Sequence, residues 1–344
     1  MAIYYGCPDK DYPVGGIRVI YRHVDILNRN GLDAFVLHHY HPFRCTWFQN
    51  ETRVAHEVRY PDRSLPARIE RRALRAIGRP ISLDPVPALK LEPGDVLVVP
   101  EIMPGLARIA AGLPKVIFNQ NAQFTLKPYP ADVEREALVY SSAEVWGAIV
   151  VSEHDRRYLE TLLPGLRVRR VHYAIDPDLF EFTTEKKRQV AYMPRKNADD
   201  LQQVLAHLRL SGQLEGWDVI AIEDRSEAET AAILRDSAVF LSSGHPEGFG
   251  LPAAEAMRTG CAVVGYHGYG GQEFLTEERG FPVDVGDVLT FARRVAEVLR
   301  EVESGSASLH RRLEEASRFI AATYSPEREE SDLLAIWSEL AESV

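Results

Sequence analysis

The 344-residue sequence contains few cysteines and has no excess of positive charge. Its three cysteines, Cys7, Cys45 and Cys261, lie far apart and lack the paired spacing of zinc ligands, which excludes a disulfide framework and a cysteine-based metal site. A reduced compartment fits this pattern best. The 40 lysines and arginines are outnumbered by 50 aspartates and glutamates, which gives a net charge of −10. This acidic total argues against a protein that coats nucleic acid, because phosphate binding needs an excess of cations.

Long hydrophobic runs are also absent. No apolar stretch approaches the roughly 18–20 residues that span a bilayer. The amino terminus, Met1–Tyr12, is a strand-like run followed by polar residues rather than a secretory signal. We therefore expect a cytoplasmic protein. Arg63–Arg79 holds six arginines, and a helix there would carry an arginine-rich face opposite an apolar one. Such a face could make peripheral contact with the inner membrane surface or grip an acidic acceptor, although a solvated helix face is the more usual explanation.

Short apolar runs alternate with segments of helical period, which is typical of α/β domains with parallel sheets. The strands predicted in the first half are Ile3–Gly6, Ala34–His38, Asp95–Val99, Lys115–Phe118 and Ala148–Val151, with a helix over Ile17–Asn30. A second series of strands is predicted at Gln189–Met193, Asp218–Ile222, Ala238–Leu241 and Cys261–Gly265. The helix after the first of these places four residues on one buried face, Leu201, Val204, Leu205 and Leu208.

The length of the chain exceeds what one hydrophobic core usually serves, which predicts two domains. Pro177–Glu185 interrupts both periodic patterns and is the expected link. The first domain is therefore predicted to span residues 1–175 and the second residues 176–324. Ser325-Pro326 combines an N-cap residue with a proline at the first helical position, so we expect a terminal helix over residues 326–344.

The clearest chemical signal is the stretch from Ser242 to Glu255, which follows a buried strand and leads into a helix starting near Pro252. Gly248 and Gly250 let the backbone pass close to a ligand, and the amides of the helix start form an anion site with the helix dipole. Glu247 lies in the loop and Glu255 about one turn inside the helix, so each can accept hydrogen bonds from a pair of sugar hydroxyls. Either carboxylate alone would be explained as a cap or a surface residue. The glycines and both carboxylates together favour a binding function.

Two shorter elements are candidates for phosphate contact. Arg195 and Lys196 follow a predicted strand, and two cations at a strand end suit a leaving diphosphate, although a solvated basic turn has the same pattern. Gly15 and Gly16 form a glycine turn that opens the first predicted helix. They do not form a dinucleotide fingerprint, and a tight turn explains them as well as a direct ligand contact does.

Glu247 and Glu255 reproduce the Glu-x7-Glu signature of the retaining glycosyltransferases of the GT-B fold, family 4, also called glycosyl transferases group 1. The resemblance continues through Gly-Phe-Gly-Leu-Pro, Glu-Ala-Met at 255–257, Gly-Cys-Ala-Val-Val at 260–264 and Gly-Gly-Gln-Glu at 270–273. It is strong over the second domain. Over the first domain it rests on the alternation of predicted strands and helices, on Gly15-Gly16 and on Val150–Glu153. It implies two Rossmann-like domains with parallel sheets facing across a cleft, acceptor bound by the first and donor by the second, and the terminal helix crossing back onto the first.

The resemblance also implies residue roles. Glu247 would hold donor-sugar hydroxyls and Glu255 the ribose hydroxyls. Lys196 matches the lysine of the family well, and Arg195 matches its arginine less closely. Gly15 and Gly16 match a loop near the acceptor and the donor phosphate. The segment 248–251 would present Gly248 and the amides of three further residues to the sugar and diphosphate, namely Phe249, Gly250 and Leu251.

This sequence departs from the family at one position. Many members carry a histidine that contacts the transferred sugar after the strand corresponding to Lys115–Phe118. Here Asn119 and Asn121 follow that strand, and either could take over the hydrogen bonding. An amide cannot become cationic as imidazole can, which leaves the identity of the donor sugar open.

The resemblance therefore implies transfer of a hexose or deoxyhexose from a nucleoside-diphosphate sugar to an acceptor hydroxyl, with retention at the anomeric carbon, in glycan or glycoconjugate synthesis. The acceptor would be a sugar, a lipid-linked compound or a small molecule. The expected co-substrate is the nucleotide sugar, with no further cofactor and, for want of an Asp-x-Asp motif, no metal. Two alternatives remain, a GT-B sugar-nucleotide epimerase and a catalytically silent sugar-nucleotide-binding module.

Overall fold

The described residues of the computed structural model, 1–59 and 86–343, form two sheets whose strands alternate with helices. The first sheet has eight strands in the order β4-β3-β2-β1-β5-β6-β7-β8. Their bounds are β1 Ala2–Gly6, β2 Asp33–His41, β3 Val54–Arg59, β4 Val86–Pro87, β5 Val96–Pro100, β6 Lys115–Asn119, β7 Val145–Val150 and β8 Val168–Arg170. β1 pairs in parallel with β2 and β5, β2 with β3, and β7 with β8, whereas β3 and β4 are antiparallel.

The second sheet has five strands in the order β10-β9-β11-β12-β13, all parallel. Their bounds are β9 Lys187–Tyr192, β10 Asp218–Ala221, β11 Ser237–Ser242, β12 Ala262–Gly265 and β13 Phe281–Pro282. The α/β class is therefore confirmed, with two sheets built mainly from parallel strands. Parallel strands are buried on both faces, which is why β1, β5 and β11 read as continuous apolar runs rather than alternating ones.

The described α-helices are α1 Gly15–Arg29, α2 Glu153–Leu162, α3 Ala198–Leu210, α4 Glu227–Asp236, α5 Leu251–Arg258, α6 Val288–Glu303, α7 Ala307–Thr323 and α8 Pro326–Ser343. The predicted buried face of α3 is confirmed, and Val204 packs in one core with Val190, Val239 and Phe291. Within the described residues, no helix is both long and apolar enough to cross a membrane. The membrane contact predicted for Arg63–Arg79 lies outside the described residues.

Each strand predicted from sequence is present within three residues of its expected ends. Four strands were not predicted, and two of them, β4 and β13, are only two residues long. β3 is only partly apolar and includes a histidine and a glutamate, and β8 consists of one valine and two arginines, so neither carries a clear period of apolar residues. Their places in the sheet depend on neighbouring strands rather than on their own composition.

By its internal contacts the chain divides into two units, Met1–Val116 and Ile117–Val344, with the division inside β6. The predicted domains, 1–175 and 176–324, stay a prediction. Contacts made by α8 explain why residues 117–175 group with the carboxyl-terminal part. Arg169 Nη2 lies 2.6 Å from Glu339, and His172 Nδ1 lies 2.6 Å from Asp332. Trp146 also donates a hydrogen bond of 2.7 Å to a serine near the end of α8.

Candidate functional site

The strand order of the second sheet identifies where a ligand would bind. From β9 the chain moves outward to β10, and then returns to β11 on the other side of β9. In open parallel sheets, ligands bind at such a reversal of strand order, outside the carboxyl ends of the two strands. The segments that leave these ends are Met193–Asn197 after β9 and Ser243–Gly250 after β11. We call the second segment the donor loop. Both contain residues singled out from sequence.

Lys196 and Glu247 meet at this position. Lys196 Nζ lies 2.9 Å from Glu247 Oε1 and donates a hydrogen bond of 2.6 Å to the carbonyl of Pro246. The Lys196 side chain is 26% exposed and the Glu247 side chain is 21% exposed. The pair is therefore partly shielded from water yet open to a ligand, a setting in which charge interactions exceed those of exposed ion pairs.

The backbone around Glu247 is held by a second loop. The Glu247 amide donates to the carbonyl of Gly268 at 2.7 Å, and the Gly270 amide donates to the carbonyl of Glu247 at 3.1 Å. Tyr269, between these glycines, has φ 81° and ψ −62°, a strained conformation for a residue with a Cβ. These two backbone bonds are part of what keeps it there.

Gly248 is required by close packing rather than by its φ angle. A Cβ built on Gly248 would overlap the carbonyl oxygen of Gln120 and lie 2.8 Å from the Cα of Asn121. The donor loop therefore lies directly against the segment that follows β6. Any side chain at this position would force backbone to move, which explains the glycine in physical terms.

The start of α5 presents unpaired amides beside the ion pair. Gly250 has φ 98°, which favours glycine, and the helix begins at Leu251 with Pro252 in its first turn. Among the described residues, none accepts a hydrogen bond from the amides of Phe249, Gly250 or Leu251. Such amides, together with the helix dipole, attract an anion.

A pocket with about 470 Å³ of empty space, open solvent included, lies at these elements. Arg195, Lys196, Glu247 and Gly250 line it, together with residues of β11, α5 and the loop after β12. Arg195 is exposed at this pocket, and Glu255 is half-buried in the second turn of α5 without lining it. Four of the residues predicted from sequence are thus brought together around one pocket.

The two asparagines after β6 differ in their surroundings. Asn119 is fully buried, and its Nδ2 donates to Thr125 and Tyr140, both at 2.7 Å. Asn121 Nδ2 donates at 3.2 Å to the carbonyl of Pro246 in the donor loop. Asn119 is therefore committed to local packing, whereas Asn121 touches the donor loop.

Three histidines surround Tyr269, and sequence reasoning did not connect them. The His154 ring stacks on Tyr269 with centroids 4.8 Å apart and planes 8° apart, and the His245 ring lies 4.6 Å from it at a tilt of 58°. His267 accepts a hydrogen bond from the Tyr269 amide at 3.1 Å. Burial lowers the pKa of all three, and Lys196 lowers that of His245 further. These rings are therefore neutral near pH 7 and pack as aromatic groups.

Glu273, the last residue of the Gly-Gly-Gln-Glu motif, connects several elements of the second unit. It pairs with Arg170, accepts a hydrogen bond of 2.8 Å from the Tyr324 hydroxyl and one of 3.4 Å from the Glu153 amide. Burial raises the pKa of Tyr324, and the Glu273 charge raises it further. The motif thus has a structural basis, since it joins the loop after β12 to β8 and α2.

Gly15 and Gly16 lie in the first unit and form the first turn of α1. Val14 precedes them in an extended conformation, and its side chain makes no capping bond. The loop before them leaves the carboxyl end of β1, where the strand order of the first sheet reverses between β1 and β5. Their predicted contact with a ligand stays a prediction. Within residues 1–59 and 86–343, no group of three or more His, Cys, Asp or Glu could hold a metal ion.

Comparison with known proteins adds an independent observation. Residues 216–318 match the family model for glycosyl transferases group 1. This segment contains the donor loop, α5 and the Glu273 motif. A curated relative, the alpha-1,6-glucosyltransferase of Actinobacillus pleuropneumoniae serotype 7 (strain AP76), is 24% identical over 257 residues, covering 72% of this chain and 75% of the relative. These matches support a glycosyltransferase, whereas membership of family 4 and a retaining mechanism stay predictions.

Solved structures are similar over the whole chain. Sucrose-phosphate synthase from Thermosynechococcus elongatus has a TM-score of 0.68 at 14% identity, with 100% of both chains covered. Anabaena HepE in complex with UDP and glucose has a TM-score of 0.64 at 14% identity, also with 100% of both chains covered. At these identities the likeness shows the fold alone, and it confirms the predicted GT-B class.

Proposed function

We propose that this protein is a retaining glycosyltransferase that moves a hexose or deoxyhexose from a nucleoside-diphosphate sugar to an acceptor hydroxyl. The observation that carries this proposal is the position of the Lys196–Glu247 pair. It lies at the reversal of strand order, beside the unpaired amides that begin α5. A cation, a carboxylate and backbone donors in one place suit a ligand with both a diphosphate and sugar hydroxyls.

Each group has a role in this reaction. Lys196, Arg195 and the amides of the Phe249–Leu251 segment stabilise the negative charge that builds on the departing diphosphate. Glu247 accepts hydrogen bonds from hydroxyls of the transferred sugar, and Glu255 from those of the ribose. Gly248 lets the donor loop lie against residues 120 and 121. We assign the amide contact with the donor sugar to Asn121 rather than to Asn119, because Asn121 contacts the donor loop.

No enzyme carboxylate acts as nucleophile in this scheme. The bond between the anomeric carbon and the phosphate oxygen breaks as the acceptor oxygen forms its bond on the same face. The acceptor proton passes to a leaving phosphate oxygen, so the products are the glycoside and the nucleoside diphosphate. We propose that no divalent metal is required, since Lys196, Arg195 and the amides at the start of α5 stabilise the charge on the diphosphate.

The comparisons suggest the first donor to try. The relative is named a glucosyltransferase, and HepE was solved with UDP and glucose. UDP-glucose is therefore the leading probe, with GDP-, ADP- and dTDP-sugars as alternatives. For the acceptor we propose a sugar, lipid-linked or small-molecule hydroxyl compound bound by the first domain, near Gly15 and Gly16.

Thermal stabilisation tests this proposal, because a ligand that binds only the folded state raises the unfolding midpoint. At a donor concentration of 100 times Kd, the gain is about 2.7 kcal/mol. We expect one nucleotide sugar to stabilise the wild type but not Glu255→Ala, whereas Glu315→Ala, an exposed change on α7, should respond like the wild type. No shift with any donor at millimolar concentration would contradict the proposal.

Turnover separates the remaining functions. With the donor identified, NMR of the product reports whether the anomeric configuration is retained. Conversion of the sugar nucleotide without any acceptor would indicate an epimerase. Donor binding without turnover across many acceptors would indicate a silent binding module.

A further inference from the structure

Asn197, the residue after Lys196, has a backbone conformation that few residue types adopt. Its φ of 49° and ψ of 45° lie in the left-handed region, where asparagine is the most tolerated residue after glycine. It occupies the N-cap position of α3, where an asparagine normally accepts a hydrogen bond from the helix amides. Here its side chain makes no such bond. The side-chain amide is used elsewhere.

The Asn197 amide holds the beginning of the donor loop. Nδ2 donates to the carbonyl of Ser243 at 2.7 Å and to the carbonyl of His245 at 3.1 Å. Ser243 Oγ donates in return to the carbonyl of Lys196 at 2.8 Å. Three hydrogen bonds therefore join the segment after β9 to the segment after β11. On one side they involve Lys196 and Asn197, and on the other they reach His245, two residues before Glu247.

We infer that Asn197 is a positioning residue, which sets the donor loop so that Glu247 faces Lys196 and the start of α5. This inference rests on the proposed function, because the donor is the ligand that Lys196 and Glu247 would share. The left-handed backbone of Asn197 and the absence of an N-cap hydrogen bond from its side chain have the same origin. The backbone turns the side chain away from its own helix and toward the two carbonyls of the loop.

Two substitutions separate the hydrogen bonds from the backbone conformation. Asn197→Gly keeps the left-handed conformation, which glycine adopts without strain, and removes both donated bonds. Asn197→Asp keeps the size of the side chain but replaces the donor with a carboxylate. That carboxylate would face two carbonyl oxygens, so it should displace the loop more than the glycine does.

A second asparagine that donates to two carbonyls, in the first unit, serves as control. Asn28 Nδ2 also donates to two carbonyls, those of Val24 and Ala34, both at 2.9 Å. Asn28→Asp therefore also places a carboxylate opposite two carbonyls, at a site where Asn28 Oδ1 accepts from the Ala34 amide and from Arg53 Nη1, both at 3.1 Å. It should lower the melting temperature less than Asn197→Asp does, because the Arg53 guanidinium offsets part of the new charge, and it should leave donor binding unchanged.

The first measurement needs no substrate. Hydrogen exchange of the peptide that contains residues 243–250 reports the Glu247 amide, which is bonded to the carbonyl of Gly268. We expect its exchange to rise at least tenfold in Asn197→Gly and Asn197→Asp and to stay unchanged in Asn28→Asp. Unchanged exchange in both Asn197 variants would overturn the inference, whatever the ligand of the protein is.

The second measurement links the loop to the ligand. With UDP-glucose, or with whichever nucleotide sugar binds the wild type, we expect Kd to weaken at least tenfold in Asn197→Gly and more in Asn197→Asp. The turnover number should also fall, since Glu247 and Lys196 act on the same donor. If the Asn197 variants have a lower melting temperature but the Kd and turnover number of the wild type, Asn197 has a structural role only. If the wild type binds no nucleotide sugar, the proposed function fails, and the exchange of the loop alone decides whether Asn197 holds it.

Discussion

Gly248 and Gln120 are in backbone contact, so that a Cβ at position 248 would overlap the carbonyl oxygen of Gln120. The contact joins the donor loop to the segment after β6. Because neither partner is a flexible side chain, a substitution cannot be absorbed by a change of rotamer.

This contact leads to the first prediction. Gly248→Ala should lower the free energy of unfolding by about 1–3 kcal/mol through overpacking and should also abolish the donor-induced thermal shift. Gly105→Ala is the control, because nothing lies within 4 Å of its added Cβ. Urea denaturation of both variants checks the difference. Equal stability of the two would show that the donor loop moves freely away from residue 120.

The Lys196–Glu247 pair gives a prediction on activity. Lys196→Met should reduce kcat/KM by roughly 10²–10³-fold, because the loss of one preorganised group that stabilises transition-state charge has an effect of this size. Lys187→Met removes a lysine that pairs with Asp236 at 2.8 Å on the surface of the same unit, and it should leave kcat/KM nearly unchanged. Steady-state kinetics with the identified donor measures both. A loss smaller than threefold for Lys196→Met would remove this lysine from the mechanism.

The histidines around Tyr269 predict how stability depends on pH. Burial lowers the pKa of His154, His245 and His267 below the ordinary value of about 6.5. Between the lowered pKa and that value, the unfolded chain binds more protons than the folded one. The stability contributed by the neutral rings is therefore present above about pH 6.5 and is lost as the pH falls toward the lowered pKa values.

Urea denaturation at pH 7.5, 6.5 and 5.5 tests this dependence. His267→Gln should lose less stability than the wild type between pH 7.5 and 5.5, because one of the three half-buried rings no longer titrates. The exposed His310→Gln on α7 serves as control and should follow the wild type. Carboxylates with lowered pKa values, such as Glu153 at about 2, contribute stability that is lost only as the pH falls below the ordinary value of 4.5, which leaves this window unaffected. Equal losses of stability in the wild type and His267→Gln over this pH range would contradict the lowered pKa of His267.

Glu273 predicts a loss of stability rather than of chemistry. Glu273→Gln removes the charge that pairs with Arg170, both side chains being less than a fifth exposed, and should cost about 3 kcal/mol, as breaking a largely buried ion pair does. Glu277→Gln changes a more exposed carboxylate that pairs with Arg294, and it should cost less than about 1 kcal/mol. Chemical denaturation compares the two. Similar losses would mean that the Glu273 network adds little to the second unit.

The reaction is expected to proceed without a divalent metal. Activity with the identified donor should be the same in millimolar EDTA as in magnesium, because Lys196 and the α5 amides supply the charge stabilisation. A loss in EDTA that magnesium or manganese restores would show that a metal takes part in the transfer.

Local features of the chain were predictable because they depend on residues close together in sequence. Ser325-Pro326 marks the start of α8, and the spacing of Leu201, Val204, Leu205 and Leu208 marks the buried face of α3. The glycines and carboxylates of the donor loop stand out for the same reason, since turn and helix preferences act over a few residues.

Only the tertiary structure decided which distant residues meet. The contact of Asn121 with Pro246, the hydrogen bond of Asn197 to Ser243, and the stacking of His154 on Tyr269 join residues 46 to 125 positions apart in sequence. Nothing in the local composition encodes these pairings, because they follow from the order of strands in each sheet and from the packing of α8. The sequence by itself therefore determined most of the strands, the helices α1, α3, α5 and α8, and the motif of the donor loop. The folded chain decided that Asn119 is buried, that Asn121 contacts the loop, and that Asn197 holds it.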